Sequence, residues 1–201
     1  MRFPSQSRSI PDVRAPDRAR GFTMVELMTT LAVAAVLMVI AVPSFSNMIN
    51  ANRLTTAANA MVGALNSARM EAIKRNGSVQ FCSNVAATNT SGSGDTLGTA
   101  CGTNAGTVLA LSAATASTVQ APPVALSIPS VHVRGTIAAI RFNSTGLGYA
   151  PGSTAPFGTG ANGSTVVELC SSALRTNNDV QINMVTGSII TSSVPSTVTC
   201  P

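Results

Sequence analysis

The chain has 201 residues, 45% hydrophobic, 9% charged and 3% aromatic, with no Trp and one Tyr. That length holds one domain beside a membrane segment, and the hydrophobic fraction excludes a chain disordered throughout. The net charge of +5 is no nucleic-acid signature, because residues 1–21 carry five Arg against two Asp and the remainder is only +2.

Residues 1–20 place Pro4, Pro11 and Pro16 among Arg and Ser, and are predicted to be a flexible leader without a fold. The next stretch is apolar. Leu27 to Val42 contains no charge, and the run counted from Phe22 has 21 residues, enough for a bilayer-spanning helix of about 20. Glu26 sits just inside it. A carboxylate in a membrane segment is costly and marks a function with a partner. Arg before such a run holds that end in the cytoplasm, so residues after Val42 are predicted to lie outside the inner membrane.

The helix is expected to run from Phe22 to about Arg75. After Pro43 it turns amphipathic: Leu54, Ala58, Met61, Leu65, Ala68 and Ala72 recur at spacings of four and three, one stripe of a helix. Glu71 precedes Arg75 by four, the favourable order for a helical ion pair, and Asn76-Gly77 supplies a stop. At 1.5 Å per residue such a helix is roughly 80 Å long, too long for a compact domain to bury. Pro43 lacks an N–H and clashes with the preceding turn, so a bend is expected there.

Beyond Gly77 the period becomes two. Strands are predicted at Ser78–Cys82, Thr107–Leu111, Val131–Arg134, Thr136–Phe142, Thr165–Cys170, Asp179–Met184 and Ser188–Thr191. Val131–Arg134 and Thr136–Phe142 read as two strands around Gly135. Turns are expected at Asn143–Gly148, Asn177-Asn178 and Thr186-Gly187. Asn84–Asn104 reads as a polar loop, as does Tyr149–Ser164. Ala113–Ser130 stays ambiguous, since Pro122, Pro123 and Pro129 limit regular pairing. The fold class is α+β, a long N-terminal helix packed on a C-terminal antiparallel sheet. Its segments are 1–21, 22–43, 44–76 and 77–201.

Cys82, Cys101, Cys170 and Cys200 form an even set, which in an oxidising compartment suggests two disulfides. Of three connectivities, Cys82–Cys101 and Cys170–Cys200 are favoured, because each pairs sequence neighbours and closes a moderate loop worth roughly 3 kcal/mol. A zinc site is disfavoured by the lack of any Cys-x-x-Cys spacing.

The junction Gly21-Phe22-Thr23-Met24-Val25-Glu26-Leu27, with its basic leader, its Glu four positions after the aromatic residue and its apolar helix, resembles the N-terminus of type IV pilins and type II secretion pseudopilins. Pro43 stands where such proteins often carry a helix-kinking proline. The resemblance implies cleavage after Gly21 by a prepilin peptidase, N-methylation of Phe22, and pairing of Glu26 with the terminal amine of a neighbouring subunit. The physics agrees. An ordinary secretory signal is cut after its apolar region, which here would destroy the helix carrying Glu26, whereas a cut before it creates an amine at Phe22.

The second half is similar to the GspH/FimT group of minor pilins and pseudopilins, through Ala68–Ile73, Phe142–Gly146 and Val180–Gly187. That resemblance implies a subunit at or near a filament tip that helps initiate assembly, in a type IV pilus or a type II secretion pseudopilus, with other subunits, the peptidase and the inner membrane as partners. Some FimT-like members bind DNA through Gly-Arg-x-Arg in the last hairpin. Here the position reads Gly187-Ser188-Ile189-Ile190, without either arginine. DNA uptake is the alternative reading, with Arg134 and Arg141 as its contacts if they lie on adjacent strands.

No catalytic constellation emerges. His132 is the sole histidine, and Glu71, Asp95, Glu168 and Asp179 are scattered. One Asp in a glycine loop does not make a calcium site, and Gly92-Ser93-Gly94 lacks the Lys and helix of a phosphate loop. The reading is a structural subunit, not an enzyme, with no cofactor and no metal.

Overall fold

The computed structural model describes residues 21–160 and 163–201, so the leader expected over residues 1–20 lies outside the described residues. The chain divides into two compact units, one ending at Val42 and one running from Pro43 to Pro201. The bend expected at Pro43 falls at their boundary.

Helix α1 spans Met24–Arg75, two residues later at its start than expected. Its last turn ends as the residue types demand. Asn76 takes φ +47°, a left-handed conformation that Asn tolerates. The Asn76 N–H then donates to Ile73 O and the Gly77 N–H to Ala72 O, both at 3.1 Å. This pair of bonds is a Schellman motif, which satisfies carbonyls that the helix end would otherwise leave unpaired.

The remaining elements are β1 (Val79–Phe81), α2 (Ala86–Asn89), α3 (Thr96–Cys101), β2 (Val108–Ser112), β3 (Thr115–Gln120), a 3-10 turn (Val124–Ser127), β4 (Val131–Val133), β5 (Ile140–Phe142), β6 (Gly148–Tyr149), β7 (Ser164–Ser171), β8 (Asp179–Val185) and β9 (Ile189–Ser192). They form two antiparallel sheets instead of one. The first has order β3-β2-β1-β5-β6 and the second β4-β7-β8-β9. The two strands read around Gly135 are both present but do not pair with each other, because β4 and β5 lie in different sheets. Gly135 takes φ +76°, and the segment after it stays tied to β7: the N–H groups of Arg134 and Ala138 donate to Glu168 O and Val166 O. The chain is handed from one sheet to the other, and only Ile140–Phe142 of the predicted second strand is a regular strand.

The core of the second unit lies between α1 and the two sheets. Leu54, Ala57, Ala58, Met61, Ala64, Leu65, Ala68 and Ala72 are all at most 3% exposed, and they cluster with Val79, Phe81, Ile140 and Phe142 of the first sheet and Val167, Leu169, Ile182 and Met184 of the second. The predicted stripe is thus buried in full, widened by Ala57 and Ala64. Small residues on a helix let the sheets approach closely, and full burial of each larger apolar side chain contributes about 1.5–3 kcal/mol.

The first sheet is covered on its other face too. Cys82, Leu97, Cys101 and Leu109 make a second small core there, beneath the segment predicted as a plain loop. That segment holds α2 and α3 because two polar side chains organise it. Asn89 is fully buried: its amide donates to Ser83 O and Gly102 O, and its carbonyl oxygen accepts the Ser83 N–H. Asp95 caps α3 by accepting the Gly98 N–H at 3.1 Å. The ambiguous Ala113–Ser130 segment contains a hairpin. Ser112 pairs with Thr115 across Ala113 and Ala114, at φ +47° and +68°, a geometry usually built with Asn-Gly.

Both disulfides join the expected partners. The Cα atoms of Cys82 and Cys101 are 5.5 Å apart, and those of Cys170 and Cys200 5.7 Å.

Candidate functional site

Three places carry the residues singled out above: the start of α1, the Arg141 network on the first sheet, and the outer face of the second.

At the start of α1, Gly21, Phe22 and Glu26 are exposed, Phe22 to 80%. Thr23, which sequence reading passed over, is the N-cap. Its hydroxyl oxygen accepts the Glu26 N–H at 3.2 Å, and its carbonyl accepts the Leu27 N–H. Thr23-x-x-Glu26 has the spacing of a capping box, the signal that would have found it. Only the threonine half of that box forms, since no bond from the Glu26 carboxylate occurs among the described residues. The carboxylate thus stands in the first helical turn, where the helix dipole favours negative charge, with its oxygens available to another donor. Inside the apolar run, the hydroxyls of Thr29 and Thr30 donate to Glu26 O and Leu27 O, so neither stays unsatisfied in an apolar medium. The most apolar window of α1 is long and apolar enough to cross a membrane, and none of it is buried within the structure.

The second place is built on β1 and β5. Gln80, fully buried on the central strand, donates from Nε2 to Asn89 O at 2.7 Å and accepts from Arg141 Nε at 3.0 Å and from Arg141 Nη2. Arg141 Nη2 also meets the two oxygens of Asp95 at 2.8 and 2.7 Å, with both side chains mostly buried. Burial alone raises the Asp95 carboxyl. The Ser91 N–H, the Arg141 guanidinium, the Gly98 N–H and the Ser91 hydroxyl outweigh it and hold the group well below the usual carboxylate range. Arg141 is therefore the pin between the Cys82–Cys101 loop and the sheet.

On the outer face of the second sheet, Arg134 Nη1 lies 2.6 Å from Glu168 Oε1. Beside them is Asp179, fully buried under a C-terminal strap whose Ser196 hydroxyl donates to Asp179 Oδ2 at 3.0 Å. Burial raises the Asp179 carboxyl, the Ser196 bond opposes this, and the nearby Glu168 carboxylate raises it further. The strap is fastened by Cys170–Cys200 and by Asn178, whose amide donates to Val198 O and whose carbonyl oxygen accepts the Val198 N–H.

These contacts correct one expectation. Arg134 follows β4 and Arg141 lies on β5, so the two arginines sit on different sheets, each committed to a carboxylate. His132 Nε2 lies 3.2 Å from Ser172 Oγ, but among the described residues no carboxylate bonds the ring. No group of three His, Cys, Asp or Glu that could hold a metal is found among them either.

Two family models match the sequence. The one described as type II transport protein GspH matches residues 57–187, and the prokaryotic N-terminal methylation motif matches residues 16–42. Searches of the curated proteins and of solved structures returned no match.

Proposed function

The chain belongs to the GspH family of type II transport proteins, and from that premise we propose that it is a minor subunit of a pilus-like filament, placed at the tip or used to start assembly. As a type II secretion pseudopilin it has a structural rather than a catalytic role, anchored to the membrane by its apolar N-terminal helix. In the proposed sequence of events, a prepilin peptidase cuts after Gly21 and the new Phe22 amine is methylated. The helix from Phe22 waits in the inner membrane with the head in the periplasm. On assembly, Glu26 meets the terminal amine of a neighbouring subunit and sets the register.

The observation that carries this reading is the start of α1: a capped helix with Glu26 in its first turn, followed by an apolar surface that nothing among the described residues covers. A carboxylate so placed in oil requires a cation. The amine freed at Phe22 on a sister chain supplies one. The alternative of DNA uptake has less support, since Arg134 and Arg141 are each paired with a carboxylate and the last hairpin lacks the arginine pair.

The test is the mass of the N-terminal peptide of the protein taken from its native membrane. A peptide beginning with N-methylated Phe22 is expected. A working form that begins at Met1 would overturn the reading, because no Phe22 amine would then exist.

A further inference from the structure

We propose that the end of the head that follows the apolar run is a docking surface for an anionic phospholipid headgroup layer, engaged while the subunit waits in the membrane. The inference rests on reading residues 22–42 as a bilayer span. Residues 44–49 are all exposed, and Phe45, Met48 and Ile49 expose 66%, 63% and 48% of their surface. They lie outside the buried column of α1, whose first members are Asn50 and Leu54. Their depth follows from covalent continuity. Phe45 and Met48 lie within about 8 Å of Pro43 along the helix axis, roughly the thickness of one headgroup layer. Large apolar side chains at that level, with basic side chains beside them, are the pattern by which helices lie at a membrane interface.

The charge distribution identifies the lipid. Seven basic residues follow the leader. Lys74, Arg75, Arg134 and Arg141 are in salt bridges, and Arg69 donates to Ser188 O. The two others, Arg53 and Arg175, have no carboxylate partner among the described residues and are both exposed; Arg53 donates only to Asn50 Oδ1, one helical turn back, at 3.4 Å. Arg175 lines a cleft with Asn47, Met48, Ala51 and Asn177. Arg53 lies two residues beyond Ala51, and helical side chains lean toward the N-terminus, which here is the side of the bilayer. No Asp or Glu occurs in residues 44–60, 172–178 or 193–201. An exposed surface that is basic and apolar, with no acidic side chain, complements anionic lipid. Each arginine near such a membrane shifts the ratio of docked to undocked heads about fivefold.

The experiment uses the full chain in lipid nanodiscs at one chain per disc, with discs of phosphatidylcholine alone or mixed equally with phosphatidylglycerol. Hydrogen exchange is read at the amides of residues 173–177, with the β7 and β8 amides as a measure of an intact head. Exchange over 173–177 is expected to slow in the anionic discs and to recover in high salt. Arg53→Gln with Arg175→Gln is expected to lower the docked ratio about 25-fold, while Arg53→Lys with Arg175→Lys retains it. Equal exchange in both lipids, or indifference to the glutamine pair, overturns the proposal. So does protection that appears only with several chains per disc, which assigns the surface to a second copy. Carbonate extraction of native membranes tests the span separately: release of the chain overturns the reading of residues 22–42, whereas retention without lipid dependence overturns the docking alone.

Discussion

Residues 24–42 and residues 54–72 of α1 draw on the same Ala, Val, Leu and Met, yet the first stretch is exposed throughout and the second holds a column at most 3% exposed. The difference lies in what interrupts the apolar residues. In 54–72, Thr, Asn, Ser, Arg and Glu fall between them and leave one face for the sheets. In 24–42 only Glu26, Thr29 and Thr30 interrupt, all near the start, so no face is distinguished. Apolar content alone does not tell a helix what will cover it; the polar interruptions do. A stretch apolar all round needs either lipid or copies of itself.

The sharpest break of this comparison is Glu26→Ala. Membrane retention should be unchanged, while incorporation into filaments should fall more than tenfold, since stranding one member of a buried pair costs about 3–5 kcal/mol. Quantifying mutant and wild-type subunits in sheared filaments checks this, and equal incorporation removes the role proposed for Glu26.

A matched pair of truncations sharpens the contrast. Leu65→Ala should destabilise the head by about 2–5 kcal/mol, the range for a fully buried leucine. Leu37→Ala, in the exposed run, should leave the denaturant midpoint of the head unchanged. Urea unfolding followed by far-UV circular dichroism measures both.

Within the head, two buried carboxylates should respond to acid in opposite senses. Asp95 titrates below its unfolded value of about 3.9, so its stabilisation is present above that pH and is lost as pH falls toward the folded value. Asp179 titrates above its unfolded value, so the head gains stability as pH falls from neutral through that raised range. Asp95→Asn should cost about 3 kcal/mol at neutral pH, because Arg141 is stranded, and should flatten the loss in strong acid. Asp179→Asn should abolish the gain on mild acidification. Unfolding midpoints across pH report both.

The smallest expected effect is a gain. Ala114 has φ +68°, which an L-residue adopts at a cost of about 1–2 kcal/mol. Ala114→Gly should raise stability by about 1 kcal/mol in the same urea assay, and a loss would show that the turn gains more from the methyl group than it spends on geometry.

What was legible in the sequence follows the same division. The stripe from Leu54 to Ala72, the Asn76-Gly77 stop and the period-two runs could be read because each is a local pattern with one physical solution, and the disulfides because, of three connectivities, pairing sequence neighbours closes the shorter loops. The hairpin at Ala113-Ala114 could not, since its turn residues do not favour the positive φ they adopt. The helices α2 and α3 were hidden because both are short and lie among Ser, Thr and Gly: Asn89 holds its segment through Ser83 and Gly102, while the local cap of Asp95 on Gly98 was readable and its tie to Arg141 was not. The split into two sheets depends on Gly135 passing the chain across, and a glycine between two apolar runs marks two strands without saying that they part into different sheets. At the start of α1 the cap at Thr23 was readable from the spacing to Glu26, whereas the partner proposed for Glu26 belongs to another molecule.

Anyone wishing to excise the head as a water-soluble fragment is bound by the column on α1. Its buried side chains begin at Asn50 and Leu54, whereas the segment matched by the family model begins at residue 57. A cut at the family boundary would discard both and open the end of the core to water, while a cut just before Asn47 would keep every buried residue of the helix. In this molecule the start of the GspH match and the start of the folded column are about two helical turns apart.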